Sequence, residues 1–175
     1  SGTRGLYMGW SNTVTESKGT VSVNFLLNRG SVWLDVDSYL PHEGKVVLHV
    51  HRDIPELQIR IPEWAGYAKV RIVREREGSV TEGRGMDPSS WVKEHFLLLG
   101  RACAGETITV TFPLDERTTV ETAIGQTFLT QWRGDDVVGI SPEGRHHPFY
   151  SGRKVYDTAP MREGDYRRLE NEIVW

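Results

Sequence analysis

His49 and His51 stand two apart in an alternation that sets Val46, Leu48 and Val50 against Val47, His49 and His51. On a strand, residues i and i+2 point the same way, so the two imidazoles share a face, joined by Asp53 if the strand continues. His-x-His on a strand is a geometry that can hold a metal ion, although no third ligand follows from the spacing. A solvated strand face accounts for the same residues without any ligand. Asp35 and Asp37 repeat the spacing beside Trp33, and two carboxylates with an indole would suit a calcium ion or a sugar. A retaining glycosidase, however, needs its carboxyl groups on opposite sides of the bond to be cleaved, whereas an i, i+2 pair projects in one direction. His146 and His147 are adjacent, so on an extended chain they diverge, and a loop role is expected.

The chain has six tryptophans in 175 residues, more than a small core usually needs. Trp33, Trp64 and Trp132, with Tyr150, are the candidates for stacking on the apolar C–H faces of sugar rings; a buried indole would simply fill the core. The single cysteine, Cys103, excludes an internal disulfide and any zinc site built from several thiolates of this chain. With no base nearby in sequence, it reads as a small filler before a turn. Phosphate-loop, dinucleotide-binding, nucleophile-elbow and zincin motifs are missing. A formal charge of −3 with no basic tract gives no support to nucleic-acid binding, and no apolar run is long enough to cross a membrane as a helix.

The elements that must carry these residues are strands. Period-two patterns run through Val21-Val23-Phe25-Leu27, Val32-Leu34-Val36, Val46-Leu48-Val50, Leu57-Ile59-Ile61, Val70-Ile72 and Ile108-Val110-Phe112, as expected of strands with one face in a core. Asn28-Arg29-Gly30 is expected to turn a short hairpin between the first two. Pro55, Pro62, Gly105, Pro113, Gly125, Gly134 and Pro142 punctuate the rest. With no helical pattern long enough for βαβ units, the fold class is all-β, an antiparallel β-sandwich of jelly-roll type. Residues 3–16 suggest a short helix that needs tertiary support, because Gly5 and Gly9 each cost about 1 kcal/mol in a helix interior. Residues 74–90, rich in charge, glycine and serine, read as a long exposed loop or irregular hairpin. The apolar end, Ile173-Val174-Trp175, is expected to pair on a sheet or pack on a neighbour.

Several segments together resemble the β-L-arabinofuranosidase family, glycoside hydrolase family 127. Val21 to Leu27 is similar to its "VNLY-type" strand, and Arg60-Ile61-Pro62-Glu63-Trp64-Ala65 to its "RIPxWA" segment, the most distinctive match. Leu98 to Pro113 resembles its "R-W-x-x-GD-x-I…P" stretch, with Ala102 and Cys103 where the family usually has a tryptophan. Trp132-Arg133-Gly134-Asp135, Ser141-Pro142-Glu143-Gly144 and Pro148-Phe149-Tyr150 are similar to the end of some branches.

The resemblance implies an (α/α)6 barrel that carries catalysis, followed by β-sandwich domains. It also implies a cysteine nucleophile on a zinc held by cysteines and a glutamate, all in the barrel. Ser1 to Leu6 looks like the residues just after the family's paired cysteines. On that reading residues 1–16 are a remnant helix of an upstream helical barrel, and residues 17–175 are the β-sandwich domain. Cys103 matches no thiolate position, so no catalytic residue carries over, and the zinc belongs to the parent's catalytic domain rather than to this segment. The implied role is a non-catalytic C-terminal accessory domain that packs on the barrel and shapes the sugar cleft; the alternative is a carbohydrate-binding module using exposed aromatics. The expected partners are the barrel of the same chain, carbohydrate, and a second copy met through unpaired strand edges. Cytoplasmic and exported locations are both allowed.

Overall fold

A computed structural model describes residues 2–66, 69–84, 92–93 and 95–142. They form an all-β sandwich preceded by one helix. The first sheet has the order β1 (Val14–Ser17), β2 (Thr20–Val23), β6 (Ile54–Arg60), β10 (Phe96–Ala102) and β9 (Val92–Lys93). The second has the order β3 (Arg29–Gly30), β4 (Leu34–Ser38), β5 (Lys45–Val50), β11 (Thr107–Thr111), β7 (Arg71–Arg76) and β8 (Ser79–Arg84). The expected alternation is what fills the space between them. Val21, Val23, Leu57, Ile59, Leu97 and Leu99 from the first sheet meet Leu34, Val36, Val46, Leu48, Ile108 and Val110 from the second in one buried cluster. Registers align these rows, with Val36 opposite Leu48, Leu48 opposite Ile108, and Val46 opposite Val110, which faces Ile72.

Several expectations need correction. No hairpin forms at Asn28-Arg29-Gly30: after β2 the chain crosses to the other sheet, where Arg29 and Gly30 pair with Val36 and Asp35 of β4. It then runs through β3, β4 and β5 and returns as β6, which lies parallel to β2, the one parallel pair among the described strands. The alternation at Phe25 and Leu27 is therefore not strand. β2 stops at Val23, and both side chains stand nearly half exposed, at 44% and 47%. Val32 likewise lies in the turn before β4 and is exposed. Pro55 does not break a strand. It sits in β6 opposite the bulge of β10, where the register shifts on either side of Gly100 and no ladder donor is required. That bulge also moves the core-facing position from Leu97 and Leu99 to Ala102, turning Arg101 outward.

The helix α1 spans Gly2–Ser11 and stops short of residue 16, because the β-branched run Thr13-Val14-Thr15 enters β1 and Thr13 is completely buried. None of its side chains is buried. It is held at its end, where the Trp10 indole donates to the Asn28 carbonyl at 3.2 Å and Arg29 lies 3.7 Å over the ring. Of the two readings of residues 74–90, the hairpin holds as far as Arg84 and is regular: β7 pairs with β8 from Arg71 to Arg84, and residues 85–90 lie outside the described residues. The hairpin's two-residue turn, Glu77-Gly78, has both φ angles positive (46° and 79°), the conformation whose twist matches that of paired strands. From Glu116 the chain builds a third sheet, the meander β12 (Glu116–Ala123), β13 (Gln126–Arg133) and β14 (Asp136–Ser141), in which Thr130 is the one buried strand residue.

The two main sheets are also tied by a charge. Arg74 shares the inward face of β7 with Ile72. Its guanidinium donates to Glu106 Oε1 at 2.6 Å and Oε2 at 3.1 Å, to the Leu99 carbonyl at 2.8 Å and to the Arg101 carbonyl at 2.6 Å. The Cys103 amide donates to the same carboxylate at 3.0 Å, so Cys103 occupies a turn organised by Glu106. Burial works to raise the Glu106 carboxyl and is the largest single influence. The Arg74 hydrogen bond, the Cys103 amide and the charges of Arg74 and Arg76 together exceed it and hold the carboxyl below the usual glutamate range.

Two outcomes are expected. Arg74→Met leaves a mostly buried carboxylate without its counter-charge and should cost about 2–4 kcal/mol in urea unfolding at pH 7. Since the Glu106 pKa is depressed on folding, its stabilisation is complete above the unfolded value, about 4.3, and is lost as pH falls through the folded value. Wild-type stability should therefore fall below about pH 4.5 more steeply than that of Glu106→Gln, and equal slopes in parallel melts would refute the assignment.

Candidate functional site

The most distinctive segment of the sequence lines a groove of about 590 Å³ at one end of the sandwich. Arg60 ends β6, Ile61 turns into the core, and Pro62 leads a single 3₁₀ turn, Glu63–Ala65, before Gly66. The Ile61 amide donates to the His95 carbonyl at 3.3 Å, so the segment continues the β6·β10 edge. Phe25, Leu26 and Leu27 supply one wall, Leu40 and Pro41 another, and Trp64 a third. The rim mixes Arg60, His95 and Arg133 with Glu63, Asp135 and Asp136, so it favours neither anion nor cation.

Trp64 joins the sandwich to the third sheet. Its ring meets Phe112 edge-on at 5.8 Å and 68°, and its Nε1 donates to Asp135 Oδ1 at 2.8 Å. Gly134 lies directly against the indole. A Cβ there would come within 2.9 Å of Trp64 Cζ2, and the residue's φ of +59° already favours glycine. The Gly134 amide donates to the Asp115 carbonyl at 2.7 Å, and Arg117 donates to the Gly134 carbonyl at 2.8 Å. Trp64 is thus fixed by neighbours of its own chain, and Asp135 serves it as an acceptor.

The other sequence candidates lie elsewhere. Trp33 packs partly buried against the core cluster. Trp132, on β13, donates its Nε1 to Thr119 Oγ1 at 2.9 Å with Arg117 5.2 Å over its ring. Tyr150, like Trp91, His146, His147 and residues 163–175, lies outside the described residues. His49 and His51 do share a face, but each meets a carboxylate of the neighbouring strand: His49 Nε2 lies 3.1 Å from Asp37 Oδ2 and His51 Nε2 2.9 Å from Asp35 Oδ2. The antiparallel register that sets Asp35 opposite His49 brings the two pairs together. These four residues form a side-by-side ladder on the outer face of the second sheet. Among the described residues no group of three or more histidine, cysteine, aspartate or glutamate side chains is arranged to hold a metal ion. Asp53 does not extend the histidine row; it accepts from the Ala104 amide at 2.9 Å.

Sequence reasoning missed the groove-lining roles of Phe25, Leu27, Arg133 and Asp135. Phe25 and Leu27 mimic a strand, and the last two come from a sheet far along the chain. The usable signal was the length of the apolar run Phe25-Leu26-Leu27, which breaks the alternation at the point where the chain leaves the sheet.

No family model and no curated protein matches this chain. Solved structures do. A GH127 β-arabinofuranosidase aligns with 71% of this chain and 23% of its own, with a TM-score of 0.51 and 17% identity. This chain has the fold of part of that enzyme. A GH127 β-L-arabinofuranosidase from Geobacillus stearothermophilus T6 aligns with 73% of this chain and 21% of its own, with a TM-score of 0.49 and 15% identity. The chain therefore spans less than a quarter of the length of either enzyme's chain.

Breaking the Trp64–Asp135 bond should loosen the third sheet and leave the sandwich standing. Trp64→Phe and Asp135→Ala, combined in a double-mutant cycle, should show a coupling of about 1 kcal/mol, since the bond is partly exposed. Gly134→Ala should cost about 1–3 kcal/mol through the indole clash and backbone strain. Thermal unfolding followed by tryptophan fluorescence reads both, and additive effects in the cycle would exclude the latch.

Proposed function

We propose that this chain is a non-catalytic accessory domain of a glycoside hydrolase of the GH127 type, built to pack against a helical catalytic domain and shape its sugar cleft. The observation that carries the reading is the asymmetry of coverage: most of this chain aligns with less than a quarter of a β-arabinofuranosidase. Two features of the chain support it. The first is α1, whose exposed Leu6, Tyr7, Met8 and Trp10 form an apolar surface larger than a ten-residue helix needs in water. The second is the use made of the tryptophans. Trp33 is packed on the core, Trp64 is latched to Asp135 and Trp132 is bonded to Thr119, arrangements that suit structural support better than a row of free platforms for sugar rings.

In this reading the Arg60–Ala65 segment is a structural motif. It closes the core with Ile61 and Ala65, and it positions the third sheet through Trp64. Zinc and the cysteine nucleophile of a GH127-type reaction would belong to the helical domain, since Cys103 is the single cysteine here and no described cluster of three or more ligating side chains includes it.

The purified chain, supplied with zinc and a thiol reductant, should release no aryl group from aryl β-L-arabinofuranosides. Calorimetric titration with plant polysaccharides should give no saturable heat. Turnover abolished by one substitution in this chain would overturn the non-catalytic assignment. Saturable heat lost in Trp64→Ala would establish the binding-module alternative instead.

A further inference from the structure

The outer edge of β12 is the feature that the accessory role leaves unexplained. No described strand pairs with that edge. Among the other edge strands β1 has four residues, β3 and β9 have two each, and the six-residue β8 is interrupted by Gly83. At the far side of the third sheet β14 carries Gly139, faces an irregular register and runs into Pro142. β12 has eight residues, Glu116-Arg117-Thr118-Thr119-Val120-Glu121-Thr122-Ala123, with no proline, glycine or lysine and four β-branched positions. A long, β-prone, unprotected edge is a template for another strand.

The hairpin geometry says which backbone groups are free. β12 and β13 are joined by the two-residue turn Ile124-Gly125, which Ala123 and Gln126 flank as partners. In such a hairpin the flanking pair is hydrogen-bonded, and bonding alternates from there. Arg117, Thr119, Glu121 and Ala123 therefore spend their N–H and C=O groups on β13, while Glu116, Thr118, Val120 and Thr122 point theirs outward.

We propose that two copies of this chain associate by antiparallel pairing of their β12 edges about a two-fold axis at Thr119. Only outward-pointing residues can exchange ladder bonds, so the possible registers differ in steps of two. With the axis at Thr119, Thr118 faces Val120 and Glu116 faces Thr122 as hydrogen-bonded pairs, and Arg117, whose Nη1 already serves the Gly134 carbonyl and Asp115, faces Glu121 twice in the closer, non-bonded positions with its remaining N–H groups. Moving the axis to Val120 or Thr118 sets Arg117 against Ala123 or Thr119 and loses both ion pairs. Charge complementarity thus selects one register. Glu121 is exposed and has no ion-pair or hydrogen-bond partner among the described residues, which leaves it available to Arg117 of the second copy. On the opposite face the pairing sets the exposed Val120 of the two copies diagonally across the new seam, each beside the exposed Leu129 of its own β13. Among the described strands each copy has one such edge of eight residues, and the pairing consumes it, so the assembly closes as a dimer. This inference is independent of the accessory-domain reading.

Light scattering of the eluted 175-residue chain should give twice the monomer mass of 19.9 kDa. Val120→Pro removes only an outward N–H, so it should leave the β12·β13 ladder and the circular dichroism spectrum intact and yield a monomer. Glu121→Arg, which sets like charges opposite each other, should also shift the equilibrium to monomer. In a Cys103→Ser background, Thr119→Cys should form a covalent dimer under mild oxidation, because the two thiols meet at the axis. A wild-type monomer at every accessible concentration, or a dimer that survives Val120→Pro, would overturn the proposal. Cross-linking through Val120→Cys in preference to Thr119→Cys would overturn the register.

Discussion

The constraint around which this sandwich is organised is an arginine on an inward-facing strand position. Arg74 follows Ile72 on the core side of β7, and a guanidinium there must find acceptors or forfeit its hydration without compensation. It finds them on two elements at once: the Glu106 carboxylate before β11 and the Leu99 and Arg101 carbonyls of β10 in the opposite sheet. Those two carbonyls flank the β10 bulge at Gly100, so the irregular stretch that turns Arg101 outward also offers its oxygens to Arg74. One planar, fork-shaped cation thereby fixes the separation of the two sheets at the end of the core, and its partner carboxylate shapes the turn that holds Cys103.

The groove lies away from this clamp and is built by a different logic. The Arg60–Ala65 segment turns its apolar residues Ile61 and Ala65 into the core and leaves Trp64 at the boundary with the third sheet. A meander with a single buried strand residue has little apolar burial of its own to hold it in place. Its attachment rests on specific contacts, namely the indole–carboxylate bond at Asp135 and the close approach that only glycine permits at position 134. Within the hexapeptide Ile61 and Ala65 close the core, Pro62 leads the 3₁₀ turn and Trp64 holds the third sheet.

His49, His51, Asp35 and Asp37 show how far a candidate site is legible from spacing alone. Period two placed each pair on one face correctly. It could not show that the two faces were the same one, since that depends on the β4·β5 register. Once Asp35 stands opposite His49, each imidazole has a carboxylate within 3.1 Å, and a face that reads as two separate ligand sets becomes two hydrogen-bonded pairs. The tryptophans behave alike: their number was visible, but their partners, Asp135 for Trp64 and Thr119 for Trp132, come from later segments of the chain or across a hairpin.

What the sequence determined by itself was everything that local periodicity encodes. The all-β class, the core rows from Val21 to Phe112 and the weakness of the N-terminal helix follow from alternation and propensity, which act over a few residues. Local pattern misled where an alternation continued past the end of a strand, at Phe25 and Leu27, and it left loop and hairpin undecided where charge crowds a strand, from Arg74. Only the tertiary structure decided those cases, together with the crossing between sheets at residues 24–28, the parallel β2·β6 pair and the separate third sheet. The physical reason is common to all of them: a side chain's fate there is set by whether a partner from a distant segment arrives to bury it, pair its charge or complete its ladder.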